Sequence, residues 1–174
     1  YRIIKDSNEA TSFGTDTKKG RLRNMKYTGN CLCGNVKFQF PYDPMMQFQC
    51  HCTVCQKVFG TSLNAVALPE DELSYEGELN VFSITGGSGK ELHFYFCPQC
   101  SIIVYNKPDA LDGMIYLPAG LLADQIEFSP TVELWTKSKA KWLPRAGSIK
   151  ASFEDNATVE RLVELLENLD QREA

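Results

Sequence analysis

The feature that most constrains this chain is a group of three cysteines, Cys50, Cys52 and Cys55, within six residues. On an extended segment Cys50 and Cys52 point to the same face, because side chains alternate with a period of two. The two-residue gap before Cys55 suits a turn that brings the third sulfur to the same centre. Zn²⁺ binds thiolates in a tetrahedron, so three sulfurs leave one corner for a water or a substrate sulfur. The pattern therefore indicates a site for chemistry.

The other four cysteines form two short-spaced pairs, Cys31 with Cys33 and Cys97 with Cys100. Two such pairs far apart in sequence are the usual source of a closed, four-cysteine structural zinc site. We therefore interpret the seven cysteines as four plus three. A disulfide framework is the rival interpretation, but seven is an odd number, Cys-x-Cys pairs bridge poorly, and no secretory signature accompanies them. Spacing alone also permits another closed site, formed by Cys31, Cys33, Cys50 and Cys52.

The three cysteine motifs occur in a recognisable order: residues 29–36 (Gly-Asn-Cys-Leu-Cys-Gly-Asn-Val), residues 50–57 (Cys-His-Cys-Thr-Val-Cys-Gln-Lys) and residues 96–100 (Phe-Cys-Pro-Gln-Cys). This ordered set resembles the glutathione-dependent formaldehyde-activating enzyme family, which also includes centromere protein V. Residues 119–124 resemble the family's glycine-leucine-aspartate segment, and residues 138–142 resemble its C-terminal tryptophan segment. The resemblance covers about residues 27–143.

The resemblance implies two zinc sites. By this resemblance, a structural zinc is held by Cys31, Cys33, Cys97 and Cys100. The second zinc, which is the catalytic one and the more easily lost, is held by Cys50, Cys52 and Cys55.

The chain departs from the family pattern at a few positions. Ser101 stands where the family usually has glycine, and Gln56 stands where it often has arginine. The family also has a histidine near the position of Glu133 or Leu134.

The function that the resemblance implies is a carbon–sulfur lyase that acts on a glutathione adduct. The family reaction condenses formaldehyde with glutathione, and another aldehyde or an imine is the alternative electrophile. Three thiolates outweigh the two positive charges of the metal, which weakens activation of water but suits exchange with an incoming soft thiolate. The competing hypothesis is a zinc-stabilised binding module without catalysis, as the likeness to centromere protein V allows.

Composition and charge narrow the class of protein. The chain has 174 residues, 43% of them apolar and 23% charged, which favours one globular domain with a real core. A net charge of −4 argues against a general nucleic-acid binder, because that role needs a basic surface. No apolar run approaches the ~20 residues of a membrane span. Reduced, metal-bound cysteines favour a cytoplasmic or nuclear location.

We divide the chain into a polar N-terminal extension (residues 1–26), a zinc-binding catalytic domain (27–143) and a C-terminal extension with a helix (144–174). The N-terminal extension is basic and is interpreted as a solvated arm rather than a contact site for an acidic partner. In the C-terminal extension an apolar stripe of period 3.6 predicts a helix that packs on the domain, with a homodimer contact as the alternative. The stripe consists of Val159, Leu162, Leu165, Leu166 and Leu169.

Between these extensions the pattern is β. Short runs of alternating or apolar residues, separated by turn signals, predict antiparallel strands rather than βαβ units. A short turn of helix is expected over residues 56–59, ended by Gly60. The expected fold is therefore mainly β, with antiparallel sheets of the Mss4-like type that the resemblance implies, clamped by the four-cysteine site. The predicted strands cover residues 36–40, 63–68, 80–85, 91–96, 102–105 and 114–117.

Several other residues invite a functional interpretation. His51 lies between two zinc-pattern cysteines, and a hydrogen-bonding role is favoured over direct ligation. His93 is expected to be a satisfied histidine on a β-sheet face. Residues 86–89 (Gly-Gly-Ser-Gly) predict a hairpin loop, because they lack the lysine and following helix of a phosphate-binding loop. Seven aromatic residues are expected mainly in the core, with one or two lining a pocket: Phe94, Tyr95, Phe96, Tyr105, Tyr116, Trp135 and Trp142.

Overall fold

The computed structural model describes residues 3–5, 24–157, 161 and 163–172. Within these residues the chain is mostly β, with one complete α-helix, α1 (Thr53–Phe59). None of the helices found there is long and apolar enough to cross a membrane. The strands are β1 (Ile3–Lys5), β2 (Tyr27–Asn30), β3 (Lys37–Phe40), β4 (Met46–Cys50), β5 (Leu63–Pro69), β6 (Ser74–Glu76), β7 (Asn80–Thr85), β8 (Glu91–Phe96), β9 (Ile103–Pro108), β10 (Met114–Pro118), β11 (Val132–Leu134) and β12 (Ala151–Ser152).

The strands form two sheets. A nine-stranded sheet has the order β1-β7-β8-β9-β10-β5-β4-β11-β12, and a three-stranded sheet has the order β2-β3-β6. The antiparallel prediction holds for both sheets except at one edge, where β11 runs parallel to β4 and to β12. A long connection rather than a hairpin leads into β11, so the direction of this strand is not set by a local turn. The mainly β fold is confirmed, with the larger sheet mixed.

Both faces of the large sheet are covered at its centre. On β5 the side chains of Val66 and Leu68 enter one buried cluster, while Ala65 and Ala67 enter another on the opposite face. The first cluster includes Phe38 and Phe40 of β3, so it fills the space between the two sheets. A strand buried on both faces reads as a continuous apolar run, which is why β5 was predictable without alternation.

All six predicted strands are observed, as β3, β5, β7, β8, β9 and β10. The helical turn ended by Gly60 is also confirmed, although the helix begins earlier, at Thr53. The strands that were not predicted are short, and β2, β6 and β12 are largely polar. β6 and β12 pair with strands distant in sequence, β3 and β11, which local pattern does not reveal.

The C-terminal stripe is only partly described, since Val159 and Leu162 lie outside the described residues. Residues 161 and 163 are helical, and Leu165 and Leu166 pack against the second cluster. The chain then leaves the helical conformation, and Leu169–Gln171 forms a separate 3₁₀ turn after Asn168, whose φ is 59°. The expected helix therefore does not continue to Leu169. The basic residues 18–23 of the N-terminal arm also lie outside the described residues.

Candidate active site

Four cysteines meet where the two sheets come together. Cys31 and Cys33 lie in the turn between β2 and β3, and Cys97 and Cys100 lie in the turn between β8 and β9. Their four sulfur atoms all lie within 4.8 Å of one another. The Sγ atoms of Cys31 and Cys33 are 3.5 Å apart, and those of Cys33 and Cys97 are 3.7 Å apart. Sulfurs on a tetrahedron at about 2.3 Å from its centre would be about 3.8 Å apart, so this group fits a zinc ion.

The two turns that carry these cysteines are closed by the same kind of backbone hydrogen bond. The Cys31 amide donates to the Val36 carbonyl (2.9 Å), and the Cys97 amide donates to the Ile102 carbonyl (3.0 Å). Each turn needs one left-handed residue, which is Gly34 (φ 80°) in the first and Ser101 (φ 58°) in the second. Ser101 thus occupies, at some conformational cost, a position that suits glycine.

The other three cysteines form a separate and fully buried group. Cys50 ends β4, Cys52 is the N-cap of α1, and Cys55 lies in the first turn of that helix. The Cys55 amide donates to Cys52 Sγ (3.3 Å), and the three sulfurs lie within 4.8 Å of one another. All seven cysteines lie in the described part of the chain, and none of them forms a disulfide. The alternative site composed of Cys31, Cys33, Cys50 and Cys52 is not formed.

The pKa values of the three buried thiols are shifted in different directions. Hydrogen bonds from the Cys50 and Cys55 thiols, together with the Cys55 and Val54 amides, hold the pKa of Cys52 well below its ordinary value. The hydrogen bond to Cys52 raises the pKa of Cys50, and those to Cys50 and Cys52 raise the pKa of Cys55. Only one thiolate is therefore favoured without a cation, and a metal ion is what would allow three.

Hydrogen bonds to backbone carbonyls fix the loop that carries Cys50 and Cys52. The His51 amide donates to the Leu134 carbonyl (2.9 Å). Gln56 Nε2 donates to the carbonyls of His51 and Ser138, at 2.7 Å each. These bonds fix the loop to β11 and to the segment that follows it.

The His51 ring points toward a buried carboxylate and is not part of the thiol group. Its Nε2 lies 3.3 Å from Glu133 Oε2 but makes no hydrogen bond to the described residues. Burial and the nearby Lys139 charge lower the pKa of His51, which favours the neutral ring. Glu133 accepts from Lys139 Nζ (2.7 Å), Ser152 Oγ (2.7 Å) and Arg145 Nε (3.3 Å). Burial would raise the pKa of Glu133, but Lys139 and Ser152 outweigh this effect and lower it.

A cavity of about 80 Å³ opens beside the three buried thiols. Since a water molecule needs about 10–15 Å³ on this kind of measure, the cavity admits a ligand of only a few heavy atoms. Its wall is mainly apolar. The lining includes Phe48, Leu63, Leu92, Pro108, Ala110, Leu111, Leu134 and Trp135, with Asn106 and Tyr116 among the few polar groups.

Strand register explains why Asn106 and Tyr116 meet in this cavity. The two residues are directly opposite in the β9–β10 pair, so their side chains share one face of the large sheet. Ala67 lies opposite Tyr116 on β5, and its small side chain leaves space on the same face. Burial first, and then the charge that Cys50 and Cys55 would carry if ionised, raise the pKa of Tyr116, which favours its protonated hydroxyl.

The loop of the β7–β8 hairpin closes the cavity from outside. The hairpin predicted around residues 86–89 is confirmed, and three of these residues line the cavity. A Cβ atom at Gly87 would lie 2.7 Å from Cζ2 of Trp135, so only glycine permits this close approach. Lys137 Nζ lies 5.0 Å from the centre of the Trp135 ring, within reach of a cation–π interaction.

The remaining sequence expectations have mixed outcomes. His93 is a satisfied sheet residue, with Nδ1 2.7 Å from Ser83 Oγ and Nε2 3.1 Å from Asp109 Oδ1. Tyr116 and Trp135 line the cavity, as expected of one or two aromatics. Trp142 is 71% exposed, so its placement in the core was wrong. Asn106 was not singled out, although a polar residue directly after the apolar run 102–105 is the signal that could have identified it.

The comparisons with known proteins bear on this site. The model of the family described as "Glutathione-dependent formaldehyde-activating enzyme" matches residues 26–138, which is more than half of the chain. The chain belongs to this family. All seven cysteines lie inside the part that matches the glutathione-dependent formaldehyde-activating family, as do Asn106, Tyr116 and Glu133. The family is thus named as an enzyme family, and this member has two cysteine groups that could hold metal ions.

Among solved structures, the crystal structure of a Rhodobacter sphaeroides protein, a structural-genomics target, is similar to this chain. The two are 18% identical, the match covers 58% of this chain and 91% of that chain, and the TM-score is 0.46. A comparison with the sequences of curated proteins gives no significant match.

Proposed function

We propose that this protein is a zinc-dependent carbon–sulfur lyase that acts on the adduct of glutathione with a small aldehyde or related electrophile. The observation that carries this proposal is the group of three buried thiols at a small, mainly apolar cavity. Family membership supports the reaction class, since the family is named for activating formaldehyde with glutathione. An imine is the alternative electrophile.

Cys50, Cys52 and Cys55 are the residues that would hold the catalytic zinc. Their burial and mutual distances suit a three-thiolate set, and their pKa pattern requires a cation if all three are to ionise. When bound, such an ion supplies a Lewis-acidic position with room for a further sulfur or oxygen ligand. Cys31, Cys33, Cys97 and Cys100 would hold the structural zinc, which in our proposal fastens the two sheets together.

The protein's own groups contribute orientation and a dry environment. Gln56 and the Leu134 carbonyl fix the loop that carries the thiols, so their sulfurs are held in place before a substrate arrives. The apolar wall excludes water from the reacting atoms. In the forward reaction the thiol sulfur bonds to the carbonyl carbon, the C=O π bond breaks, and the thiol proton ends on the oxygen. The lyase direction is the reverse.

Cavity size limits which part of the adduct lies inside. A volume of about 80 Å³ suits the carbon and oxygen of a small carbonyl compound together with the sulfur, but not the whole tripeptide. The peptide portion of glutathione would therefore lie outside the cavity. Formaldehyde fits this limit better than an aldehyde with a long chain.

The second candidate function is a zinc-stabilised binding module without catalysis. The observation in its favour is Trp142, a large aromatic residue that is 71% exposed. A nucleic-acid partner does not suit the net charge of −4. A module would bind a macromolecule tightly and would show no affinity for thiols. Formation of a homodimer, which the sequence suggested as an alternative role for the C-terminal segment, stays a prediction.

The test is the rate of carbon–sulfur bond formation between glutathione and a series of electrophiles. The series runs from formaldehyde through longer aldehydes to a small imine, each measured against the uncatalysed reaction. We expect acceleration with the smallest carbonyl compound and a steady loss of acceleration as the chain lengthens. No acceleration with any member, in protein that contains zinc, would contradict the lyase.

A further inference from the structure

One polar group in the cavity is unexplained by the fold. Asn106 is 1% exposed, and its Oδ1 has no hydrogen-bond partner among the described residues. Buried side-chain polar atoms nearly always have a partner, because leaving one without any costs about 1–3 kcal/mol. Because Asn106 also lines the cavity, a ligand there would supply the bond that Oδ1 lacks.

The position of Asn106 fits that interpretation. The side chain lines the same cavity as the three buried thiols and lies directly opposite Tyr116. Its cross-strand neighbour on the other side is Phe94, and Pro108 follows two residues later on the same face. Since these neighbours are apolar apart from the Tyr116 hydroxyl, packing alone would favour a leucine at position 106.

We propose that Asn106 binds the oxygen or nitrogen of the small electrophile and holds its carbon beside the thiols. This inference rests on the proposed function and assigns a residue that the cysteine pattern does not reveal. An amide both donates, through Nδ2, and accepts, through Oδ1. It can donate to the carbonyl oxygen of an aldehyde and then accept from the hydroxyl that forms when the thiol proton moves to that oxygen. The same pair of bonds suits the C=N group of an imine and the amine formed from it.

The chemistry of this residue defines the ligand class. The ligand must be a small carbonyl or imine compound whose adduct carries an O–H or N–H group. An alkyl halide or another electrophile whose thiol adduct has no such donor would leave Oδ1 unpartnered. Such compounds should therefore react poorly in this cavity even when they are small enough to enter it.

The test compares Asn106→Leu with Thr131→Val, a matched control. Thr131 is also buried with an unpartnered side-chain oxygen, but it does not line the cavity. Both changes replace such a group by an apolar side chain of similar size, which is neutral or stabilising for the fold. We expect both variants to keep the wild-type zinc content, glutathione binding and melting temperature, or to melt slightly higher. For N106L alone, kcat/KM for formaldehyde should fall by about 10-fold or more.

The outcomes separate the two proposals. If the wild-type protein accelerates the reaction and a folded N106L variant matches it, the inference about Asn106 is wrong and the lyase stands. If the wild-type protein neither accelerates the reaction nor binds glutathione, both proposals fail. Should N106L not fold, Asn106→Ala is measured in the same way, with the same expected loss in kcat/KM and the same contradicting result.

Discussion

The two cysteine groups of this protein use the same side chain in opposite settings. The group of four lies on two turns between strands, and one member, Cys33, is exposed. The group of three lies on a strand end and a helix start, is fully buried, and borders a cavity. Four thiols complete a tetrahedron, whereas three leave a position open. The comparison suggests that one group maintains the fold and the other performs chemistry.

The largest effect is expected for Cys97→Ser in the group of four. Zinc binding to such sites contributes about 10–16 kcal/mol in small zinc-dependent domains, which exceeds the net stability of most domains. Losing one ligand where the two sheets meet should therefore abolish cooperative folding. Circular dichroism with a thermal melt checks this result, and a C97S variant that melts like the wild type would contradict the structural role.

The matched change in the group of three is Cys52→Ser. We expect the fold to persist, because the two sheets and their shared core do not depend on this group. Turnover should fall by about 10²- to 10⁴-fold, as expected when several kcal/mol of stabilisation by a metal ion are lost. The assay is adduct formation from glutathione and formaldehyde. Full turnover by C52S would show that the three-thiol site is not catalytic.

A comparison of Glu133→Gln with Glu72→Gln distinguishes a residue that stabilises the three-thiol site from one that stabilises only the fold. Each wild-type carboxylate is buried and ion-paired, Glu133 with Lys139 and Glu72 with Arg172. Breaking either pair should lower the free energy of unfolding by about 3 kcal/mol, the lower end of the range for buried pairs. Only E133Q should also speed zinc loss from the three-thiol site, measured with a chromogenic chelator. Equal rates of zinc loss in the two variants would contradict a supporting role for Glu133.

The lowered pKa of Glu133 also predicts how the stability of the protein depends on pH. The pKa of Glu133 in the folded protein is lowered, so it lies below the unfolded value of about 4.3. Its contribution to stability is therefore complete at pH 7 and is lost as the pH falls through the folded pKa. We expect the difference in stability between wild type and E133Q to shrink in acid. A difference that grows as the pH falls would reverse the assignment.

A smaller effect is expected where the hairpin loop meets the cavity wall. Gly87→Ala would force Trp135 to shift, whereas an added Cβ at Gly120 meets nothing within 4 Å. We expect G87A to lose about 1 kcal/mol of stability and roughly 10-fold in kcat/KM, while its zinc content is unchanged. G120A serves as the control and should retain wild-type activity. Equal activities of the two variants would mean that the loop does not shape the site.

The smallest effects on stability are expected in the two turns of the four-cysteine group. There, serine and glycine are exchanged in opposite directions. Ser101→Gly relieves a left-handed conformation and should raise the free energy of unfolding by up to about 1 kcal/mol. Gly34→Ser places a side chain on the left-handed residue of the other turn and should lower the free energy of unfolding by about 1 kcal/mol. Chemical denaturation measures both. Changes of the same sign in the two variants would contradict this account of the turns.

Features that depend on local sequence could be predicted, and features that depend on distant partners could not. The cysteine spacings and the apolar run of β5 pointed to the two cysteine groups and to the central strand. The parallel pairing of β11, the approach of His51 to Glu133 and the opposition of Asn106 to Tyr116 join residues that are far apart in sequence or depend on strand register. Trp142 was misplaced because an aromatic residue in a long connection carries no periodicity to show which way it faces.

The measurement that tests the central division most directly is the zinc content per chain of protein purified without chelator, with and without glutathione. We predict two zinc ions per chain, one of them labile and perturbed by glutathione. That result would place a thiol substrate at Cys50, Cys52 and Cys55. A single tightly held zinc that is indifferent to glutathione would contradict the catalytic site and favour the binding module.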